Sequence, residues 1–187
     1  VAKYSEPVVP RQAGERHDWE IIGELGARLF APRPLRGVVR RTVSLVRPDR
    51  IVVTFDLPEP TFRHKAVTTY KANRDATPDL LVQQMELVRR VVDTLALPVV
   101  EAPGFEADDV IATLAERAKV AGEDVIIVTG DRDSYQLVEN PHVRVLYNRR
   151  GVSDYALYDE EGILERTGVK PSDYVFYAAL RGDPSDN

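Results

Sequence analysis

The chain contains no cysteine. Disulfide staples, thiolate zinc sites and a cysteine nucleophile are therefore excluded, and carboxylates and histidines remain as the metal-ligating side chains. Histidine is scarce as well: His17, His64 and His142 lie too far apart in the sequence to read as a ligand set. No run approaches the roughly 20 consecutive apolar residues that a membrane-spanning helix needs. Nor does the N-terminus carry a short apolar core preceded by positive charge. The expectation is a soluble, cytoplasmic, monomeric protein with no membrane partner.

What is present suits one globular domain: 187 residues, 43% hydrophobic and 29% charged. A formal net charge of -5 argues at first sight against a nucleic-acid partner, since phosphate binding shows as a basic excess. The average hides two populations. Eight acids gather in the motifs described below, and setting them aside from -5 leaves +3, with the positive charge bunched between Arg33 and Arg74. That distribution describes an acidic pocket in a basic surround.

Residues 1–34 hold Pro7, Pro10, Pro32 and Pro34 and show no clear period, so this segment is left unassigned. From Leu35 the apolar spacing Leu35, Val38, Val39, Thr42, Val43, Val46 predicts a helix, with Arg36, Arg40, Arg41 and Arg47 on its wet face. Ile51–Phe55 reads as a buried parallel strand ending at Asp56. Residues 60–76 are polar, basic and aromatic, which suits a loop or helical insertion. Thr77-Pro78 opens a helix with Leu81, Met85, Val88, Val92 and Leu95 on one face. A second strand at Leu97–Val100, a helix from Glu106 to about Gly122 and a third strand at Asp124–Val128 follow. A short helix at Asp133–Val138 and a fourth strand at Val143–Tyr147 come next, with helices near Asp159–Arg166 and Pro171–Arg181 stopped by Gly168 and Gly182. Alternation of strand and helix gives an α/β class with a mostly parallel central sheet flanked by helices.

In open parallel sheets ligands bind outside the carboxyl ends of the strands, and this chain keeps its acid clusters there. Asp56 follows one strand, Glu106, Asp108 and Asp109 a second, and Asp131 and Asp133 a third, while Asp183 and Asp186 near the C-terminus are placed to close the ring. Taken alone, Glu-Ala-Asp-Asp is an ordinary helix start, because first-turn acids stabilise the helix dipole by ~0.3 to 1 kcal/mol, and aspartate is common in turns. Convergence at three strand ends tips the balance. So many carboxylates repel, and hard divalent cations such as magnesium or manganese are the simplest remedy. Two such ions roughly 3.5 to 4 Å apart activate a water near neutral pH and stabilise the leaving oxygen in phosphodiester hydrolysis.

Five motifs in order carry a resemblance. They are Phe55-Asp56 with Thr61-Phe62-Arg63, the run Tyr70-Lys71-Ala72-Asn73-Arg74, and Pro103-Gly104-Phe105-Glu106-Ala107-Asp108-Asp109. Thr129-Gly130-Asp131-Arg132-Asp133 and Ala179-Leu180-Arg181-Gly182-Asp183-Pro184-Ser185-Asp186-Asn187 complete the set. Over residues 35–187 the chain resembles the 5′ nuclease (flap endonuclease) domain of bacterial DNA polymerase I. The resemblance implies a PIN-like parallel-sheet fold with a helical arch, cutting DNA 5′ flaps and 5′ ends through two divalent ions, Mg2+ or Mn2+, in replication and repair. It implies that Asp56, Glu106, Asp108 and Asp109 serve one metal and Asp131, Asp133, Asp183 and Asp186 the other, with Asp56, Lys71 and Arg74 catalytic. Arg63, Tyr70, Lys71 and Arg74 become DNA contacts, the lysine on the scissile phosphate and the tyrosine stacked on a base. A linked polymerase domain is a further expectation. The chain departs from the pattern in lacking the family's first strand and Asp-Gly pair, and in stopping before the helix-turn-helix element that grips the duplex.

Two other readings stay open. Phe55-Asp56-Leu57 and Gly130-Asp131 are similar to a haloacid-dehalogenase-like phosphohydrolase, although Pro58 occupies the place of that class's second acid. A catalytically impaired DNA-binding remnant is the non-enzyme alternative, motivated by the absent first acid and the net charge.

Overall fold

A computed structural model describes residues 48–72, 79–150 and 154–182. Ile51–Asn187 form one compact unit. The expected helix over Leu35–Val46, together with Arg74, Asp183 and Asp186, lies outside the described residues.

Hydrophobic β-branched runs form the sheet where the sequence places them. Strand β1 (Val125–Thr129) runs parallel to β2 (Val143–Arg150), with Val125 opposite Val143, Ile127 opposite Val145 and Thr129 opposite Tyr147. A third strand, β3 (Asp154–Tyr158), pairs antiparallel with β2 through Val145–Tyr158 and Tyr147–Ala156. The expected sheet is mostly parallel and has no strand here. The described sheet is mixed because so short a connection returns the chain beside its own strand, whereas a parallel pair needs a long crossover. The expected strands at Ile51–Phe55 and Leu97–Val100 meet only as a parallel bridge between Val53 and Val99. Val53 N–H donates to the Pro98 carbonyl at 2.9 Å and Val100 N–H to the Val53 carbonyl at 3.0 Å. Val52 and Val99 are exposed there, so burial on both faces is not met among the described residues.

Five α-helices are described: α1 (Phe62–Ala66), α2 (Asp79–Thr94), α3 (Ala107–Val120), α4 (Glu160–Thr167) and α5 (Tyr174–Arg181). A short 3-10 turn at Asp133–Leu137 connects β1 to the core, and another at Pro171–Asp173 precedes α5. Local signals set the helix ends. Asp159 caps α4 by accepting the Gly162 N–H at 2.9 Å, and Gly168 ends it with φ 81°, a left-handed conformation that glycine adopts without a side-chain clash. On α2 the expected apolar face is only partly used, since Val92 is buried whereas Met85 and Val88 are exposed. Arg89 fixes that helix instead, its guanidinium 4.3 Å from the Phe55 ring centre and 2.6 Å from the Glu101 carboxylate.

The core lies between the sheet, α3, α4 and α5. Ile127, Tyr135, Val143, Val145, Ile163 and Tyr174 form its centre, with Ala115 contributed by α3. Tyr135 is fully buried and meets the rings of Tyr147, Tyr158 and Tyr174 edge-on at centroid distances of 5.4, 5.7 and 5.5 Å. Edge-to-face rings add about 0.5 to 1.5 kcal/mol each beyond area burial. The 3-10 turn that carries Asp133 is thus nailed to the core by its own Tyr135, which fixes the loop holding Asp131. Ile163 is also fully buried, and Ile163→Ala should lower stability by about 2 to 5 kcal/mol. Urea unfolding followed by circular dichroism measures it, and a loss under 1 kcal/mol would deny Ile163 its central place.

Candidate active site

The first turn of α3 is the hub. Glu106 takes an extended backbone conformation before the helix, and its N–H donates to the Asp109 carboxylate at 2.9 Å. The Ala107 N–H donates to Asp56 Oδ1 at 2.7 Å, so the acid at the end of the first chain segment caps an amide that the helix leaves unpaired. One interaction joins a residue to another 51 positions away and brings two predicted acid clusters together.

A basic segment closes over this hub. Phe62 N–H donates to the Gly104 carbonyl at 2.9 Å, and the Phe62 and Phe105 rings pack at 5.5 Å, which ties α1 to the turn before α3. Arg63 then grips Asp109 with two parallel hydrogen bonds, 2.7 and 2.8 Å, the fork geometry that makes arginine–carboxylate pairs strong. That hydrogen bond holds the Asp109 carboxyl below the usual carboxylate range. Further on, Lys71 Nζ donates to Glu106 Oε1 at 2.9 Å and the Tyr70 hydroxyl to Glu106 Oε2 at 3.2 Å. Lys71 adopts φ 56°, a left-handed conformation costly for a residue with a side chain. Such strain concentrates at functional positions.

Asp108 is exposed as a residue, yet the crowding of protein around its carboxyl raises its pKa, and the charges of Asp131, Asp56 and Glu106 raise it further. Three strand ends therefore act on one carboxylate. Asp131 is held rigidly. Its N–H donates to Thr129 Oγ1 at 3.0 Å, its Oδ1 accepts the Asp133 N–H at 2.8 Å, and its carbonyl accepts the Ser134 hydroxyl at 2.6 Å.

The expected constellation is met in part. Asp56, Glu106, Asp108 and Asp109 share the start of α3, and Asp131 is close enough to act on Asp108. Asp133 follows Asp131 on the 3-10 turn, where its charge acts on Tyr174. Asp183 and Asp186, the remaining expected ligands, and Arg74 lie outside the described residues. No three histidine, aspartate or glutamate side chains draw together as a ready metal cage among the described residues. The donor set still fits a hard dication in kind, being all oxygen and crowded with like charge at Asp108. The pairing of Arg63 with Asp109 and of Lys71 with Glu106 was not legible in the sequence, because a separation of 46 or 35 positions has no local signature. His64 holds Thr61 Oγ1 at 2.8 Å and packs edge-on against Tyr70 at 5.1 Å.

An α/β sheet with acids gathered at strand ends beneath a basic, aromatic segment has the architecture of the PIN-like 5′ nucleases. A family model described as 5′-3′ exonuclease, N-terminal resolvase-like domain, matches residues 31–168, and the chain belongs to that family. It is 45% identical over 154 residues to a DNA polymerase I of Mycobacterium tuberculosis, covering 81% of this chain and 17% of the relative. A thermostable DNA polymerase I of Thermus thermophilus is 45% identical over 139 residues, 74% of this chain and 16% of its own length. The chain thus spans about a sixth of these relatives. Among solved structures, a bacteriophage T5 5′-exonuclease with bound zinc aligns with a TM-score of 0.62 at 18% identity, over 90% of this chain and 65% of its own. The phage T5 flap endonuclease in a pseudo-enzyme-product complex with DNA and metal ions aligns at 0.62 and 18%, over 87% and 60%. At these identities the likeness establishes the fold.

The bidentate pair gives a measurable expectation. A double-mutant cycle over Arg63→Gln and Asp109→Asn should return a coupling of about 1 kcal/mol or more in urea unfolding without divalent cations. Additive losses would place the two side chains apart in solution.

Proposed function

We propose that the chain is a divalent-metal-dependent, structure-specific 5′ nuclease that hydrolyses phosphodiester bonds at DNA 5′ flaps and 5′ ends, acting in replication and repair within a longer protein that also carries a polymerase. The observation that carries this reading is the gathering of acids at the first turn of α3, where Asp56 binds the Ala107 amide beside Glu106, Asp108 and Asp109. Like charges crowded in this way disfavour ionisation unless a cation joins them. The solved phage T5 proteins of the same fold bind zinc or other metal ions, one of them with DNA, which agrees with a cationic cofactor here.

The residues that would hold two ions, Mg2+ or Mn2+, are Asp56, Glu106, Asp108 and Asp109 on one side and Asp131, Asp133, Asp183 and Asp186 on the other. When bound, such ions supply Lewis acidity that lowers the pKa of an attacking water and offsets charge on the leaving oxygen. The chain's own groups do the rest. Asp56 is fixed by the Ala107 amide through its Oδ1. Lys71 and Arg63 neutralise Glu106 and Asp109 while no dication is there. Lys71 Nζ, if released from Glu106, would face the scissile phosphate, where its positive charge would favour the more highly charged transition state. The Tyr70 ring beside it offers a base-stacking platform for single-stranded DNA, and Arg74 adds a further phosphate contact.

The haloacid-dehalogenase-like reading loses ground, because Asp56 is bound to a helix amide and the place of its partner acid is Pro58.

Asp131→Asn should abolish manganese-dependent cleavage of a 5′-flap substrate while circular dichroism stays native. Undiminished cutting would reject the metal assignment. Lys71→Ala should lower kcat by about 100-fold or more with a smaller change in KM; an equal loss in both would reduce Lys71 to a simple phosphate anchor.

A further inference from the structure

Behind Asp131 and Asp133 lies a basic cavity that the carboxylate chemistry does not use. It encloses about 480 Å³ and is lined by Arg132, Arg166 and Arg181 with Tyr135, Tyr174 and Tyr177. A second cavity of about 770 Å³ runs alongside it, and its walls include Asp131, Asp133 and Gly130 together with Arg132, Tyr174, Tyr177 and Arg181. The shared walls make the basic cavity continuous with the acid cluster.

Three guanidiniums face this space, and among the described residues none forms an ion pair with a carboxylate. Their partners are tyrosines. Arg166 lies 5.2 Å from the Tyr147 ring centre and 5.3 Å from that of Tyr158, and its Nη1 donates to the Tyr158 hydroxyl at 2.9 Å. Arg181 lies 5.8 Å from the Tyr177 ring centre, with its Nη1 at 3.4 Å from the hydroxyl. Arg132 shares the cavity wall with Tyr135 and Tyr174. Stacking on rings orients a guanidinium while leaving most of its five donors unspent. Oriented positive charge next to the half-buried ring of Tyr177 is the combination that holds a phosphate and its adjoining base.

We propose that this cavity binds a backbone phosphodiester of a DNA strand that continues past the carboxylate cluster, with Arg132, Arg166 and Arg181 as its cationic wall. The proposal rests on the nuclease reading for its ligand and adds a subsite whose residues are distinct from Arg63 and Lys71. Against an overall charge of -5, a DNA strand near this group of carboxylates gains from a local patch of positive charge.

The test is fluorescence anisotropy of a labelled single-stranded oligonucleotide with the full chain, in calcium, over a series of potassium chloride concentrations. Arg166→Gln combined with Arg181→Gln should weaken binding about 10-fold and reduce the salt slope by about 1 to 1.5. Arg166 packs on core tyrosines, so Arg181→Gln alone, on the exposed last turn of α5, guards against a folding defect and should give about half of the slope change. A methylphosphonate oligonucleotide of the same sequence, with an uncharged backbone, should bind wild type and variants alike. Wild-type affinity and slope in the variants, with flap cleavage retained, would overturn the subsite and leave the nuclease reading standing. A chain that binds strands through these arginines yet cleaves nothing under any divalent cation would do the reverse. A variant effect that persists on the uncharged backbone would also overturn the proposal, because it would assign the arginines to base contacts or to folding.

Discussion

Repulsion among carboxylates is the constraint to which the rest of this molecule answers. Asp56, Glu106, Asp108 and Asp131 come from three distant stretches, and the fold spends local structure to keep them together. A helix N-terminus receives Asp56, the same helix turn spaces Glu106, Asp108 and Asp109, and a 3-10 turn anchored by Tyr135 immobilises Asp131. None of these acids would choose this company in water. Arg63 and Lys71 make it tolerable by ion pairing, and at Asp108 burial together with the neighbouring acids raises the pKa.

Those ion pairs also explain why a segment with little apolar periodicity is ordered at all. Residues 61–72 bury little hydrophobic side chain, but Phe62 against Phe105 and the Arg63 fork pin α1 to the turn before α3. Attachment through charge rather than through core packing is reversible. It suits a segment whose cations are wanted by the carboxylates in one state and by a phosphate in another.

Positive charge is distributed with the same logic. The formal charge of -5 gives no hint of nucleic-acid affinity, yet basic side chains gather at the acids. Arg63 and Lys71 pair with the acids directly, whereas Arg166 and Arg181 stack on tyrosines and share a cavity with Arg132. The tyrosine network therefore serves packing and charge placement at once, which a count of aromatic residues does not reveal.

The sequence by itself determined the class of fold, the strands β1 and β2, the helix boundaries at Asp159, Gly168 and Gly182, and the acids to watch. These depend on hydrophobic period, capping chemistry and turn residues, all written within a few positions of one another. It did not determine β3, whose antiparallel return depends on a short connection, nor the sparse pairing of Val53 with Val99. It also missed which base meets which acid. The partners Arg63 with Asp109 and Lys71 with Glu106 are decided only when the Phe62–Phe105 contact sets one segment over another, because an ion pair is specified by distance in space and leaves no period in the chain.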